Sequence, residues 1–175
     1  MTTGTTLTGL TVRYATADNV PTLRALVERA YRGDSARTGW THEADLLDDE
    51  RTTHADLTAT IADPASRVLL GYHDNVLIGT VTITDCGGSL SYLGMLCVDP
   101  ACQAGGIGSA LIAAAEQAAQ REFGAQTMEM TVIDRRADVI AWYQRRGYRD
   151  SGEVRPFPVP GDHPFAMVVL TRDLA

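Results

Sequence analysis

Between the apolar run Leu90 to Val98 and the helical pattern Ile107 to Phe123 the chain places Gln103-Ala104-Gly105-Gly106-Ile107-Gly108-Ser109. No other stretch constrains the fold as tightly. A helix that opens directly after such a run presents N–H groups with no intrahelical acceptor, and its dipole adds positive potential there. Glycine lets a ligand's atoms come close to that backbone, so the run predicts an anion site at a strand-to-helix turn. By itself it does not name the anion, because glycine-rich turns of this kind also serve mononucleotide and dinucleotide folds, and some only turn the chain. A P-loop needs Lys followed by Ser or Thr after its last glycine, and Ser109-Ala110 supplies no lysine. A dinucleotide fingerprint needs G-x-G-x-x-G at the first strand, whereas this run has other spacing and lies late in the chain.

The remaining pattern supplies the scaffold. At 175 residues one domain over 11–175 is expected, after a Thr/Gly-rich tail at 1–10. Thr11 to Ala15 reads as a short strand, and Asp18 as the cap of a helix running to Tyr31 with Leu23, Leu26, Val27 and Ala30 on one face. A short helix is expected around His54 to Ile61. Strands are expected at Arg67 to Tyr72, Val76 to Thr84 and Leu90 to Val98, with turns at His73-Asp74-Asn75 and Gly87-Gly88. Ile107, Leu111, Ala114, Ala115 and Ala118 form the apolar stripe of a helix that Gly124 ends. Thr127 to Ile133 alternates as a strand, Ala137 to Arg146 reads as a helix closed by Gly147, and Tyr148 to Val154 and Phe165 to Leu170 read as the last strands. The fold class is α+β: a central, mostly antiparallel twisted sheet flanked by helices.

Charge and side-chain inventory narrow the chemistry. The net charge of −7 disfavours nucleic acid, whose affinity comes mainly from neutralised phosphates. A phosphate site here must be built locally from backbone N–H groups and a few arginines, while the negative field suits a cationic acceptor such as an amine. Cys86, Cys97 and Cys102 form no C-x-x-C pair, and His42, His54, His73 and His163 show no metal-helix spacing, so reduced thiols and no metal are expected. Cys97, inside an apolar run, reads as core rather than nucleophile. No run is long enough to span a membrane and the first residues lack a signal pattern, which makes the cytoplasm the expected compartment.

Two stretches together resemble the GNAT superfamily of acyl-CoA-dependent N-acetyltransferases. The family's phosphate loop reads Arg/Gln-x-x-Gly-x-Gly/Ala, matched by Gln103, Gly106 and Gly108 after a strand ending Val98-Asp99-Pro100. Its second motif, a short helix carrying Tyr and then Gly and an aromatic, is matched by Ala141-Trp142-Tyr143-Gln144-Arg145-Arg146-Gly147-Tyr148. The resemblance spans about Val12 to Leu174. It implies the acyl-CoA N-acyltransferase fold and acetyl-CoA as acyl donor, with the N–H groups of Ala104, Gly105, Gly106, Ile107, Gly108 and Ser109 on the pyrophosphate. It implies backbone pairing of Leu96, Cys97 and Val98 with the pantetheine arm, the Val98 N–H facing the thioester carbonyl, and Tyr143 protonating the leaving thiolate. Many members carry Asn just before the second helix. Here Asp134-Arg135-Arg136-Ala137-Asp138 takes that place, and Arg135 or Arg136 is offered as a phosphate contact instead. Dimers are common in the family, so a homodimer is among its implications.

The expected reaction is transfer of an acetyl or short acyl group to a primary amine, on a small molecule or on a peptide or protein, through a tetrahedral intermediate. A lysine-like amine costs about 4.6 kcal/mol to deprotonate at pH 7, so a base is useful. Glu43 is the named candidate, with Asp45 beside it near Trp40 and His42; the alternative is that these acids are solvated or belong to a first helical turn. Glu129 points either into the cleft or out to solvent. His163 reads as a surface residue of the last loop, or else part of the acceptor site. Arg145 and Arg146 read as a solvated helix end rather than a phosphate clamp. The resemblance implies that the segments Gly33 to Ala65 and Arg155 to Pro164 line the acceptor side. The rival to the enzyme is a non-catalytic acyl-CoA sensor using the same loop.

Overall fold

The computed structural model describes residues 9–31, 52–158 and 160–174. Seven strands form one sheet in the order β1-β2-β3-β4-β5-β7-β6: β1 (Thr11–Tyr14), β2 (Ser66–His73), β3 (Val76–Asp85), β4 (Leu90–Val98), β5 (Thr127–Ile133), β6 (Arg149–Pro156) and β7 (Ala166–Asp173). All neighbours are antiparallel except β4 and β5. That one parallel contact follows from the connection between them, because α3 (Ile107–Phe123) crosses over the sheet before β5 begins. The other helices are α1 (Val20–Tyr31), α2 (His54–Ala62) and α4 (Ala137–Gln144). Among the described residues no helix is long and apolar enough to cross a membrane.

The two faces of the sheet carry separate cores. On one face Leu111, Ile112, Ala115, Ala118 and Ala119 of α3 pack on Val81, Ile83, Met128, Met130 and Leu170. On the other, Leu23, Leu26, Val27 and Leu57 of α1 and α2 pack on Val68, Leu70 and Cys97. Helix α3 lies close to the sheet because Gly79, in register with Gly71, leaves room for it: a Cβ on Gly79 would stand 2.7 Å from Leu111 Cδ1.

The expected elements are present, with shifted ends. Both α3 and β5 have the bounds read from the pattern, and Gly124 closes α3 in the left-handed conformation (φ 62°). Asp18 is not a cap. Thr16 caps a 3-10 turn at Ala17–Asn19, with Asn19 Oδ1 accepting the Thr16 N–H at 2.8 Å, and α1 starts only at Val20. Helix α4 stops at Gln144 rather than Arg146, since Arg146 N bonds Tyr143 O and Gly147 N bonds Gln144 O in a tightening turn. Strand β6 therefore starts at Arg149, one residue past Tyr148.

Candidate active site

Strand β4 changes partner along its length. Its first residues, Leu90 to Tyr92, pair with Thr127 to Glu129 of β5, and the parallel register goes no further. On its other edge the ladder with β3 jumps from Thr82↔Gly94 to Thr80↔Cys97, so Met95 and Leu96 together stand opposite Val81. Met95 has φ 51°, the left-handed strain of a bulge at a residue that is not glycine. A bulged strand bends, and here β4 leaves β5. The fork holds an open cavity of about 160 Å³, walled by Tyr92, Met95 and Leu96 from β4 and Met130 to Ile133 from β5, with Tyr143, Arg136, Phe157 and Pro158 around it. Tyr92 Oη and Thr131 Oγ1 bond across the fork at 2.6 Å.

The end of β4 feeds the glycine-rich loop. Asp99 Oδ1 accepts the Ala101 N–H at 3.0 Å and Oδ2 accepts Arg29 Nη2 at 3.1 Å, fixing a 3-10 turn over Pro100–Gly105. Gly106 then takes φ 75°, ψ 13°, open to glycine at little cost, and turns the chain into α3. The first bond inside α3 runs from Ala110 N to Gly106 O at 3.1 Å, so the N–H groups of Ile107, Gly108 and Ser109 lie ahead of it at the positive end of the dipole. Backbone alternation bears on Val98 too. Because Asp99 N donates to Ile78 O of β3, the preceding Val98 N–H turns the other way, toward the side from which β5 has diverged. Of its neighbours, Leu96 borders the cavity while the Cys97 side chain is buried on the α1/α2 face.

Helix α4 packs against this loop. A Cβ on Gly108 would come within 3.2 Å of Trp142 Cζ2, so the missing side chain sets how closely the two helices meet. Arg146, expected to be a solvated helix end, is instead half-buried: its Nε donates to Ser109 Oγ at 2.8 Å, its Nη1 to Trp142 O at 2.8 Å, and its guanidinium stacks 3.5 Å above the Trp142 ring. Burial and neighbouring Arg145 pull its pKa below the ordinary arginine value. Arg145 is exposed, as expected.

Tyr143 is 9% exposed, with its ring edge-on to Trp142 at 4.9 Å and Tyr148 at 5.9 Å. Burial first, then the proximity of Tyr92, pushes its pKa well above the tyrosine range, against the opposing charge of Arg146 and with a smaller push from Cys97; the hydroxyl keeps its proton at neutral pH.

Other sequence candidates resolve differently. Glu129 is neither solvated nor open to the cleft: it is buried and takes two bonds from Arg155, 3.1 and 3.3 Å. His163 is half-buried in an aromatic group, 4.8 Å from Phe157 and 5.5 Å from Phe165 by ring centroids. Arg135 donates to Pro164 O at 2.8 Å and so braces the β6–β7 loop, while Arg136 borders the cavity and pairs with Asp138 at 3.4 Å. Glu43, with Trp40, His42 and Asp45, lies outside the described residues. Sequence reasoning missed Tyr92, Thr131 and the inward turn of Arg146. The four-residue spacing of Trp142 and Arg146 was a usable signal for the last; Tyr92 and Thr131, 39 residues apart, give none.

The family model described as Acetyltransferase (GNAT) family matches residues 23–148. Among solved structures, yncA, a putative acetyltransferase from Salmonella typhimurium with its cofactor acetyl-CoA, is 16% identical at TM-score 0.71, covering 96% of this chain and 95% of that one. The ribosomal-protein-S18-alanine N-acetyltransferase from Escherichia coli is 14% identical at TM-score 0.73, with 95% and 94% covered. A spermidine N-acetyltransferase chimera from Vibrio cholerae and hSSAT is 13% identical at TM-score 0.73, with 95% and 96% covered. At these identities the likeness carries the fold. No curated protein matches the chain.

Proposed function

The chain belongs to the GNAT acetyltransferase family, and from that premise we propose that it transfers an acetyl or short acyl group from acetyl-CoA to a primary amine by direct attack on the thioester. The observation that carries the reading is the place of Tyr143, the tyrosine of the second motif, on the wall of a cavity that opens between two diverging strands. The residues present fit an acyl-CoA. Backbone N–H groups at the start of α3 suit the pyrophosphate, with Gln103 to Gly106 forming the approach and Ile107, Gly108 and Ser109 the helix end. The stretch Leu96, Cys97 and Val98 offers a strand edge to the amide-bearing arm.

In this reading each group has one task. The Val98 N–H donates to the oxygen that gains charge as the amine attacks, a fixed dipole that needs no reorganisation. As the C–N bond forms and the C–S bond breaks, Tyr143 gives its proton to the departing thiolate, and the proton the amine nitrogen sheds passes to water, from which the tyrosine is restored. The thiol's ordinary pKa near 8.5 makes that a modest demand; any tyrosine is protonated at neutral pH, and a raised pKa makes the hydroxyl a weaker acid, so what Tyr143 contributes in this reading is its place beside the cavity. The acceptor is an amine on a small molecule or on a peptide or protein, entering by the face of Tyr92 and Thr131. Solved relatives with named amine acceptors, the ribosomal-protein alanine enzyme and the spermidine enzyme, support this class.

The test follows free thiol released from acetyl-CoA against a broad panel of amines, with Tyr143→Phe run in parallel. Release that depends on one class of amine, and falls in the variant, supports the reading. Tight CoA binding with no amine-dependent release across the panel would replace it with a sensor, and failure to bind CoA would end both.

A further inference from the structure

Resting on the acyl-CoA reading above, we propose that Arg146 is a positioning residue that aims the Ser109 hydroxyl proton at the donor's pyrophosphate. Ser109 is the third residue of α3, and its Oγ accepts the Arg146 Nε–H at 2.8 Å. A guanidinium can only donate, and a hydroxyl has a single proton. With one lone pair held by Arg146, the Oγ–H is directed to an acceptor elsewhere. A serine inside a helix commonly turns its proton back to the carbonyl four residues earlier. Accepting from Arg146 leaves that proton to donate, among the described residues Ser109 Oγ makes no bond back to that carbonyl, and the N-terminal end of α3 is where an anion would receive the proton.

Charge supplies an independent argument. Arg146 lies between the C-terminal end of α4, whose Trp142 O accepts its Nη1, and the positive start of α3, the end where cations are disfavoured, with Arg145 next to it. Its partners are a hydroxyl, a carbonyl and an indole ring, and among the described residues no carboxylate pairs with it. Other partly buried arginines in the molecule do have one: Arg155 has Glu129 and Arg172 has Glu116. A half-buried cation fixed on three sides at a helix N-terminus is matched by an anion from outside, and a pyrophosphate is the anion this loop is shaped to take. Arg146 also belongs to the turn that ends α4, its own N–H donating to Tyr143 O at 2.9 Å. The donor's phosphate end and the proposed acid are thereby held by one short segment.

The inference is tested by a double-mutant cycle on CoA binding, measured by titration calorimetry, with thermal midpoints recorded for each protein. Arg146→Gln and Ser109→Ala are each expected to weaken CoA by about tenfold, the loss of one charge-supported hydrogen bond to phosphate. The double variant is expected to be little weaker than either single one, because Arg146 acts through Ser109. Ser109→Thr, which keeps a hydroxyl, should bind like wild type. A second readout uses S-acetylpantetheine, a donor without pyrophosphate: Arg146→Gln should raise the KM for acetyl-CoA and leave that for S-acetylpantetheine unchanged. Additive losses would overturn the relay through Ser109. Unchanged CoA affinity in a folded Arg146→Gln protein, or equal damage to both donors, would overturn any phosphate role. If wild type itself binds no CoA, the functional reading falls and this inference falls with it.

Discussion

Tyr143 and Tyr148 stand five residues apart in edge contact, both buried and both with hydroxyls pushed well above the ordinary tyrosine pKa, yet their surroundings divide them. The Tyr148 hydroxyl donates to Glu116 Oε1 at 2.8 Å, and Arg172 Nη1 bonds the same carboxylate at 2.9 and 3.0 Å. That set is closed: hydroxyl, carboxylate and guanidinium satisfy one another between α3, β7 and the residue before β6. Tyr143 instead borders the fork cavity, with Tyr92, Arg146 and Cys97 as its electrostatic neighbours and no carboxylate among them. A raised pKa therefore does not by itself mark a working acid. The proposed acid must also border a space where a leaving group can sit, and of these two residues only Tyr143 lines the cavity.

The largest expected effect separates them most directly. Tyr143→Phe should lower kcat by about a thousandfold, within the usual span for a positioned general acid, while the unfolding midpoint in urea stays near wild type. Loss of stability without loss of kcat would assign Tyr143 to the core and break the comparison. Next comes Glu116→Ala, which leaves the Tyr148 hydroxyl and Arg172 without their acceptor; stability in urea should fall by about 3 kcal/mol with kcat kept within a few fold. Tyr148→Phe is milder, at about 2 kcal/mol, because Glu116 keeps Arg172. If Tyr148→Phe cut kcat as deeply as Tyr143→Phe, the closed network would have to be counted as part of the active site.

How much of this was legible in the sequence follows a physical line. Local signals worked. The glycines at 106 and 124 bracket α3, alternation fixes β5, and the two motifs place the loop and Tyr143 in chain order. Long-range consequences did not show. Met95 takes a left-handed conformation with no glycine to announce it, so neither the bulge nor the fork it opens is written in any local pattern. Glu129 finds Arg155 26 residues away and Tyr92 finds Thr131 39 residues away, pairings that exist only once the sheet is ordered 4-5-7-6. Asp18 was read as a cap because acids favour that place; Thr16 won it by bonding Asn19 on both backbone and side chain.

The smallest expected effect tests what the two tyrosines share. Both have folded pKa values above the value near 10 that an unfolded tyrosine carries, chiefly because burial penalises the phenolate. Below pH ~10 both states hold these protons and the contribution to stability is fully present. Above it the unfolded chain releases protons that the folded chain keeps, so stability falls by about 1.4 kcal/mol per pH unit for each group until the folded pKa is reached. Urea unfolding between pH 9 and 11 should therefore steepen above ~10 in wild type. Tyr143→Phe and Tyr148→Phe should each remove one group's share of that slope, although only the first changes kcat. A slope untouched by Tyr143→Phe would mean that water reaching the cavity already solvates its phenolate. The Tyr143 pKa would then lie at its unfolded value, raised neither by burial nor by Tyr92 and Cys97, and its hydroxyl would hold its proton at neutral pH only as any tyrosine does.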